Sequence, residues 1–335
     1  MESIVVNTEI AIFGAGAWGT ALGIHLANNG HPTTLWSHRS ADIPDIVRTK
    51  INQRYLPDIR FPDNLDVTDC LEKVAAIPNW LLAIPSHAFT EVFTQAWRFG
   101  AQPKHILWAT KGLCSKSGRL LHQVVQQIVG QVQPVALLSG PSFAREVALG
   151  MPTAVTIAAS DGAESDFWAS CFACKTFNVY TSKDIIGVQV GGAVKNIIAL
   201  AAGMSDGLGY GANARCALIT RGLAEISALA TTLGADLQTS LGLSGVGDLI
   251  LTCTDNQSRN RRCGYRLGQG ETYTEIQQSI GQVIEGVSAV EQVSQLAQAL
   301  KLNMPITQML MMILKGQKTP AAAFNDFFAQ DPMPE

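Results

Sequence analysis

Three stretches of this sequence carry residues whose types and spacing could do chemistry. Gly14-Ala15-Gly16-Ala17-Trp18-Gly19 follows the apolar run Ile10–Phe13 and opens the helical run Thr20–Asn28. In that strand–turn–helix context a G-x-G-x-x-G pattern has a physical reading: Gly14 permits the tight turn, Gly16 lets a pyrophosphate approach the backbone, and Gly19 lets helix and strand pack closely. The helix N-terminus then offers free N–H groups and a positive dipole end to phosphates. In the second stretch, Lys195 is the only charge between Asp184 and Asp206, on a helix otherwise suited to burial. Gly191 and Gly192 lie one turn before it and Ala199 one turn after it, small residues that leave space for another body. Desolvation disfavours a lysine's charged form, which makes it a competent acid or base near neutral pH. A lysine snorkelling at a helix edge is the alternative, and two turns of apolar flank on either side weigh against it. The third stretch, Ser258-Arg259-Asn260-Arg261-Arg262, places three arginines in four residues at a helix start. Guanidinium forks and free helix N–H groups together make a local anion site. Three arginines cannot all face one phosphate, so Arg261 and Arg262 read as a solvated face.

The choice between cofactors turns on the residues about 20 positions past the glycines, where an Asp or Glu holds the ribose 2′-hydroxyl of NAD. Here that stretch reads Leu35-Trp36-Ser37-His38-Arg39-Ser40, and its first acid is Asp42. A hydroxyl, an imidazole and a guanidinium suit a 2′-phosphate, so NADP(H) should be accepted alongside NAD(H); the other reading of Arg39 is a solvated surface charge. In open parallel sheets ligands sit beyond the carboxyl ends of the strands. Lys111 stands at one such end, as substrate or cofactor contact or as a surface lysine. Ser142, in the loop Gly140–Ala144, is either an N-cap or a ligand contact.

These residues need elements to hold them. The first half of the 335-residue chain alternates short apolar runs with helical patterns, the signature of a parallel sheet wrapped by helices. The strands fall at Ile10–Phe13, Thr33–Trp36, Trp80–Ile84, Ile106–Ala109, Val135–Leu138 and Thr153–Ile157. After Ile185 the alternation stops, and helical periodicity marks 188–204, 212–233, 260–268, 285–300 and 305–315. We expect an α/β Rossmann domain over residues 1–186, a mostly parallel doubly wound sheet, followed by an all-helical substrate and catalytic domain over 187–330. The terminal DPMPE should fray.

Composition narrows the function classes. Hydrophobic residues make up 47% and charged residues 15%, which lacks the signature of disorder. A net charge of −3 is too balanced for binding nucleic acid through a bulk field. The apolar stretch Ile185–Met204 contains Gln189, Lys195, Asn196 and four glycines, a poor match to a membrane span. Seven scattered cysteines and an N-terminus without a basic start before an apolar run point to the cytoplasm and to free thiols. Cys171 and Cys174 form a lone CxxC that reads as two ordinary helix cysteines. Six histidines without paired ligand spacing imply no metal. The long apolar helices suit a homodimer and equally the core of one monomer.

Taken in order, the glycine fingerprint, Lys111, the SGPSFA loop, the GGAVKN helix, MSDGLGYGANARCALITRGL, GVGDLILTCTDNQSRNRR and VIEG resemble the bacterial NAD(P)-dependent glycerol-3-phosphate dehydrogenases, from about residue 8 to residue 318. That resemblance implies a Rossmann domain, a helical domain like that of 6-phosphogluconate dehydrogenase, and interconversion of sn-glycerol 3-phosphate and dihydroxyacetone phosphate, run toward reduction to supply phospholipid synthesis. It implies that Lys195 is the acid/base residue, with Lys111, Asn196, Asp248 and Thr252 as its polar neighbours in the catalytic site, and Asp248 orienting Lys195 or a hydroxyl. Gly140, Ser142, Ser258, Arg259 and Asn260 match substrate-contact positions, joined there by Lys111, Lys195 and Asp248. Gly14, Gly16, Ala17, Trp18, Gly19, His38, Arg39, Lys111, Ala144, Arg259, Val283 and Glu285 match cofactor positions. Two other readings remain open at this point. A related two-domain 2-hydroxyacid dehydrogenase would need a carboxylate site in place of the arginine cluster. A dinucleotide-sensing module without chemistry would leave the buried lysine without a purpose.

Overall fold

The computed structural model describes residues 8–100, 102–130 and 133–329, so the MESIVVN start and the DPMPE terminus lie outside the described residues. The chain divides into two compact units: one ends at Ile185 and omits Ser115–Leu120, and the other comprises that short segment and the residues from Ile186 onward.

Among the described residues of the first unit, eight strands form one sheet: β1 (Ile10–Phe13), β2 (Thr33–Trp36), β3 (Leu65–Thr68), β4 (Asn79–Leu82), β5 (His105–Trp108), β6 (Ala136–Ser139), β7 (Thr153–Ala159) and β8 (Phe177–Ser182). Their order is β3-β2-β1-β4-β5-β6-β7-β8. Every neighbouring pair is parallel except β6 and β7, so the mostly parallel Rossmann sheet is present. Strand order reverses between β1 and β4, and that switch point is where such sheets open a crevice. β1, β2, β4 and β6 are buried at every residue, because helices cover both faces of a parallel sheet and leave its strands uniformly apolar. Apolar runs do not mark β3 or β8. Both are edge strands in which exposed or half-exposed polar residues such as Asp66 and Asn178 interrupt the run, as edges usually require. β4 stops two residues before the apolar run does, at a turn leading through Pro85 into the helix Ser86–Arg98.

The second unit is helical. Its longest helix, Ile185–Gly207, carries Lys195 and is long and apolar enough to cross a membrane by length and composition alone; 94% of its most apolar window is buried inside the protein. It is followed by helices Ala212–Thr232, Asp248–Thr254, Arg259–Gly268, Tyr273–Ile280, Glu285–Ala299, Pro305–Leu314 and Pro320–Phe328. Periodicity missed Tyr273–Ile280, although its Thr272–Glu275 capping box is a readable start signal.

Glycine pairs decide how these helices approach. Gly203 and Gly207 on the lysine helix face Arg259–Gly268, where an added Cβ would come within 2.0 Å of Arg261 O and 2.1 Å of Tyr265 O. From the other side, a Cβ at Gly264 would meet Leu200 O at 2.0 Å, and one at Gly268 would meet Met204 O at 2.4 Å. Backbone thus lies against backbone along two turns, a separation that no side chain permits.

Candidate active site

In the first unit the phosphate loop occupies the carboxyl end of β1. Gly14 N–H donates to Trp36 O at 3.0 Å, and Gly14 adopts φ +116°, with Ala83 O only 2.6 Å from where a Cβ would stand. At Gly19 a Cβ would lie 1.9 Å from Gly14 O, which accounts for the third glycine. Gly16 differs. Its backbone is ordinary extended chain and a Cβ there would meet nothing within 4 Å. Gly16 therefore serves open space rather than local geometry. The helix Ala17–Asn28 begins beside it without a side-chain cap and without an acid in its first turn, leaving its first N–H groups and dipole for an anion. Trp18 adds a buried Nε1 with no hydrogen-bond partner among the described residues. An open cradle, an uncapped helix start and an orphaned donor fit a dinucleotide phosphate group.

Buried Asn52, which no sequence pattern singles out, donates from Nδ2 to Ala15 O (3.0 Å) and Thr20 Oγ1 (2.9 Å). It pins the loop carbonyl away from the cradle. Past β2, His38 and Arg39 are exposed, and Arg39 N–H donates to Ser37 Oγ at 3.1 Å. Asp42 pairs with Arg54 at 3.3 Å.

At the end of β5, Thr110 Oγ1 donates to Ile84 O at 2.8 Å, tying the carboxyl ends of β4 and β5, and half-buried Lys111 follows. At the end of β6, Gly140 has φ +144° and packs against Val155. Ser142 does not cap a helix: Phe143 holds the N-cap position of Ala144–Ala148 without a side-chain bond, and Ser142 Oγ donates to Gly140 O at 3.1 Å. A hydroxyl one residue short of the cap closes its own turn instead. Ala144 opens that helix, half-buried.

In the second unit Lys195 is buried, and its Nζ donates to Asp248 Oδ1 and, at 2.9 Å, to Thr252 Oγ1. Asp248 and Thr252 are buried too, one turn apart on Asp248–Thr254, and Thr252 Oγ1 donates to Asp248 O at 2.6 Å. Asp248 therefore contacts Lys195 directly. Burying an ammonium needs such a counter-charge with its hydrogen bonds satisfied. The approach is set by a π-helical turn, Leu243–Gly247, which delivers Asp248 and whose Ser244 O would lie 2.4 Å from a Cβ on Gly191. Gly191 stands one turn before Lys195, so the space reserved there is filled by the backbone leading to Asp248. Such π turns recur at functional sites.

Around this set, Asn196 Nδ2 donates to Glu285 Oε2 at 3.3 Å, and Asn260 Oδ1 accepts from Gly286 N–H at 2.9 Å. Ser258 Oγ caps its helix by accepting from Arg261 N–H, and half-buried Arg259 donates from Nη1 to Gln282 Oε1 at 3.2 Å. Val283 is 39% exposed. Arg262 is exposed as expected, but Arg261 is not a solvated residue. Its side chain is 12% exposed and pairs with Asp206, a partner 55 residues away that local sequence could not supply. Nor are the CxxC cysteines both helical. Cys171 ends a helix, its thiol pushed up to about 11 by burial, while Cys174 sits exposed beyond it. A thiol so rarely ionised is a poor nucleophile.

A glycine loop at the switch point of a parallel sheet, followed by a helical unit with a buried lysine, is the arrangement of two-domain dinucleotide-dependent dehydrogenases. Two family models refine the class: residues 9–165 match the NAD-dependent glycerol-3-phosphate dehydrogenase N-terminus and residues 184–325 its C-terminus. The chain belongs to this family. It is 50% identical over 316 residues to the glycerol-3-phosphate dehydrogenase [NAD(P)+] of Serratia marcescens, covering 93% of each chain. The corresponding enzyme of Bartonella henselae is 50% identical over 319 residues, covering 95% of this chain and 94% of that one. Among solved structures, the glycerol-3-phosphate dehydrogenase of Coxiella burnetii superposes with a TM-score of 0.93 at 44% identity, covering 97% of this chain and 99% of that one.

Proposed function

We propose that this oxidoreductase interconverts dihydroxyacetone phosphate and sn-glycerol 3-phosphate with NAD(P)H, and that Lys195 is the residue that moves the proton. The observation that carries this reading is the buried Lys195–Asp248–Thr252 set. The nicotinamide, when bound, supplies or takes the hydride at the carbonyl carbon. In reduction, Lys195 gives an ammonium proton to the ketone oxygen as that oxygen gains charge. Asp248 and Thr252 hold Nζ in one orientation, so little reorganisation accompanies the transfer. In the reverse direction the neutral amine takes the hydroxyl proton and Asp248 stabilises the resulting ammonium.

Arg259, with Ser258 and Asn260 at the start of the same helix, anchors the substrate phosphate. Asn260 Oδ1 is already engaged with Gly286 N–H, which turns its amide N–H donors to the anion. Lys111, Gly140, Ser142 and Asn196 complete the substrate contacts. The Gly14–Gly19 loop with Trp18 takes the pyrophosphate, and His38 and Arg39 the 2′-phosphate. Lys111, Ala144, Arg259, Val283 and Glu285 supply the remaining cofactor contacts. The direction of reduction yields the glycerol phosphate from which phospholipids are built.

The deciding assay follows NADPH consumption with dihydroxyacetone phosphate, unphosphorylated dihydroxyacetone and a 2-keto acid in parallel. Fast turnover confined to the phosphorylated ketone is the expected result. Preference for the keto acid would overturn the assignment in favour of a hydroxyacid dehydrogenase. Absence of turnover with all three would leave a binding module.

A further inference from the structure

Arg261, like Arg262, takes no part in the proposed chemistry, yet it is the most constrained arginine of the cluster. Its Nε donates to Cys253 O at 3.1 Å, near the end of the helix that carries Asp248 and Thr252. Its Nη1 donates to Asn256 Oδ1 in the following turn, and its Nη2 to Asp206 Oδ2 at 2.5 Å, near the end of the lysine helix. Its backbone N–H is the group that Ser258 caps, and its carbonyl lies where Gly203 has no side chain. Asp206 also receives both oxygens' worth of bonds from Arg215 Nη1, at 2.8 and 3.0 Å. One planar group therefore joins the helix of Lys195, the helix of Asp248 and Thr252, and the turn that leads into Ser258 and Arg259.

We propose that Arg261 is a positioning residue that holds the phosphate anchor Arg259 in register with the Lys195–Asp248–Thr252 set, so that a substrate gripped by its phosphate presents its carbonyl to the proton donor. The inference rests on the reading of Arg259 as the phosphate anchor. A substrate held at two points needs the separation of those points fixed, and a displacement of about 1 Å can lower the rate by as much as a hundredfold. A substrate without a phosphate is held at the reacting end alone and does not sense that separation. Lysine cannot replace the arginine: a flexible point charge can satisfy Asp206 but does not reach a carbonyl and an amide in two further directions.

The test compares kcat/KM for dihydroxyacetone phosphate and for unphosphorylated dihydroxyacetone in Arg261→Lys, beside thermal melting and NADPH affinity. The phosphorylated substrate should lose about tenfold or more and the unphosphorylated one should stay within about twofold, with any change in NADPH affinity, to which Arg259 also contributes, shared equally by both. Asp206→Asn, which keeps the bonds to Cys253 and Asn256, should lower the same ratio by about threefold, and it decides the matter if Arg261→Lys fails to fold. Equal losses on both substrates, or an unchanged ratio in a folded variant, would overturn the proposal and leave Arg261 a residue of folding only. Arg259→Ala serves as the reference. If it leaves the ratio untouched, the anchor reading itself fails; if it collapses the ratio by at least about tenfold while Arg261→Lys does not, only the positioning role fails.

Discussion

The two units solve their tasks with different parts of the chain. In the sheet unit the proposed binding feature is backbone, six consecutive residues from Gly14 to Gly19 whose shape follows from one strand end and one helix start. In the helical unit the proposed feature is a set of side chains: Lys195, Asp248 and Thr252 meet only after their helices pack, and residues 258–260 start a third helix. Glycine serves both units, but differently. Gly14 uses a positive φ and Gly16 leaves room for a ligand, whereas Gly203, Gly264, Gly191 and Gly245 give their space to other backbone. A contiguous site needs glycine for the ligand, and an assembled site needs it for the assembly.

If the helical unit does the chemistry and the sheet unit only binds, Lys195→Met should separate them most sharply. The change keeps the side chain's length and removes its proton, so kcat should fall by about 10²–10⁴-fold. NADPH affinity, measured by fluorescence titration, should stay within about twofold of the parent. A variant with most of its kcat intact would remove Lys195 from the mechanism and erase the division.

The converse substitution is Gly16→Val. Its backbone is extended and its Cβ would enter open space, so the melting temperature should hold. The branched side chain would occupy the cradle and weaken NADPH and NADH alike, roughly 10–100-fold, the scale of a lost charge-assisted contact. Gly19→Ala should instead cost folding, since its Cβ would strike Gly14 O. Equal melting losses in the two variants would show that Gly16 is a structural turn residue after all.

A finer division lies within the cofactor region. Arg39→Asp should lower the NADPH-to-NADH ratio of kcat/KM by about tenfold, because a carboxylate repels a 2′-phosphate and accepts from a ribose hydroxyl. A ratio that does not move would place 2′-phosphate recognition elsewhere than this exposed guanidinium.

The smallest expected effect concerns stability. Burial holds the His25 and His31 imidazoles below their ordinary 6.5, and His25 Nε2 donates to Phe172 O at 2.7 Å. The folded state keeps these rings neutral while the unfolded chain takes up protons near pH 6.5. Stability is therefore fully present above about pH 6.5 and is lost as pH falls below it, toward the lowered folded-state values. His25→Gln retains a donor for Phe172 O and removes one titrating group, so its melting temperature should fall less steeply between about pH 6.5 and pH 5. Identical slopes for parent and variant would assign the acid sensitivity to other groups.

Legibility followed the same division. The glycine loop, six of the eight strands and the five most periodic helices stood in local patterns of period and spacing. The edge strands β3 and β8 did not, because exposed polar residues break their apolar runs. Lys195 could be singled out as an isolated charge on an apolar helix, but nothing near it in sequence names Asp248 as its partner. Local sequence leaves Ser142 open between a cap and a ligand contact, and it is not a cap, whereas Arg261 is misread. One closes its own turn where a cap looked equally good, and the other reaches a carboxylate 55 residues back where solvent looked natural.

By itself the sequence determined those features whose causes are local: strand–glycine–helix order, helix periodicity, the missing acid after β2, and the run of arginines at a helix start. Only the tertiary structure decided which charges face one another and which glycines touch backbone. A hydrogen bond or a close helix approach depends on distances between elements, and those distances come from packing many side chains at once rather than from any one stretch of chain.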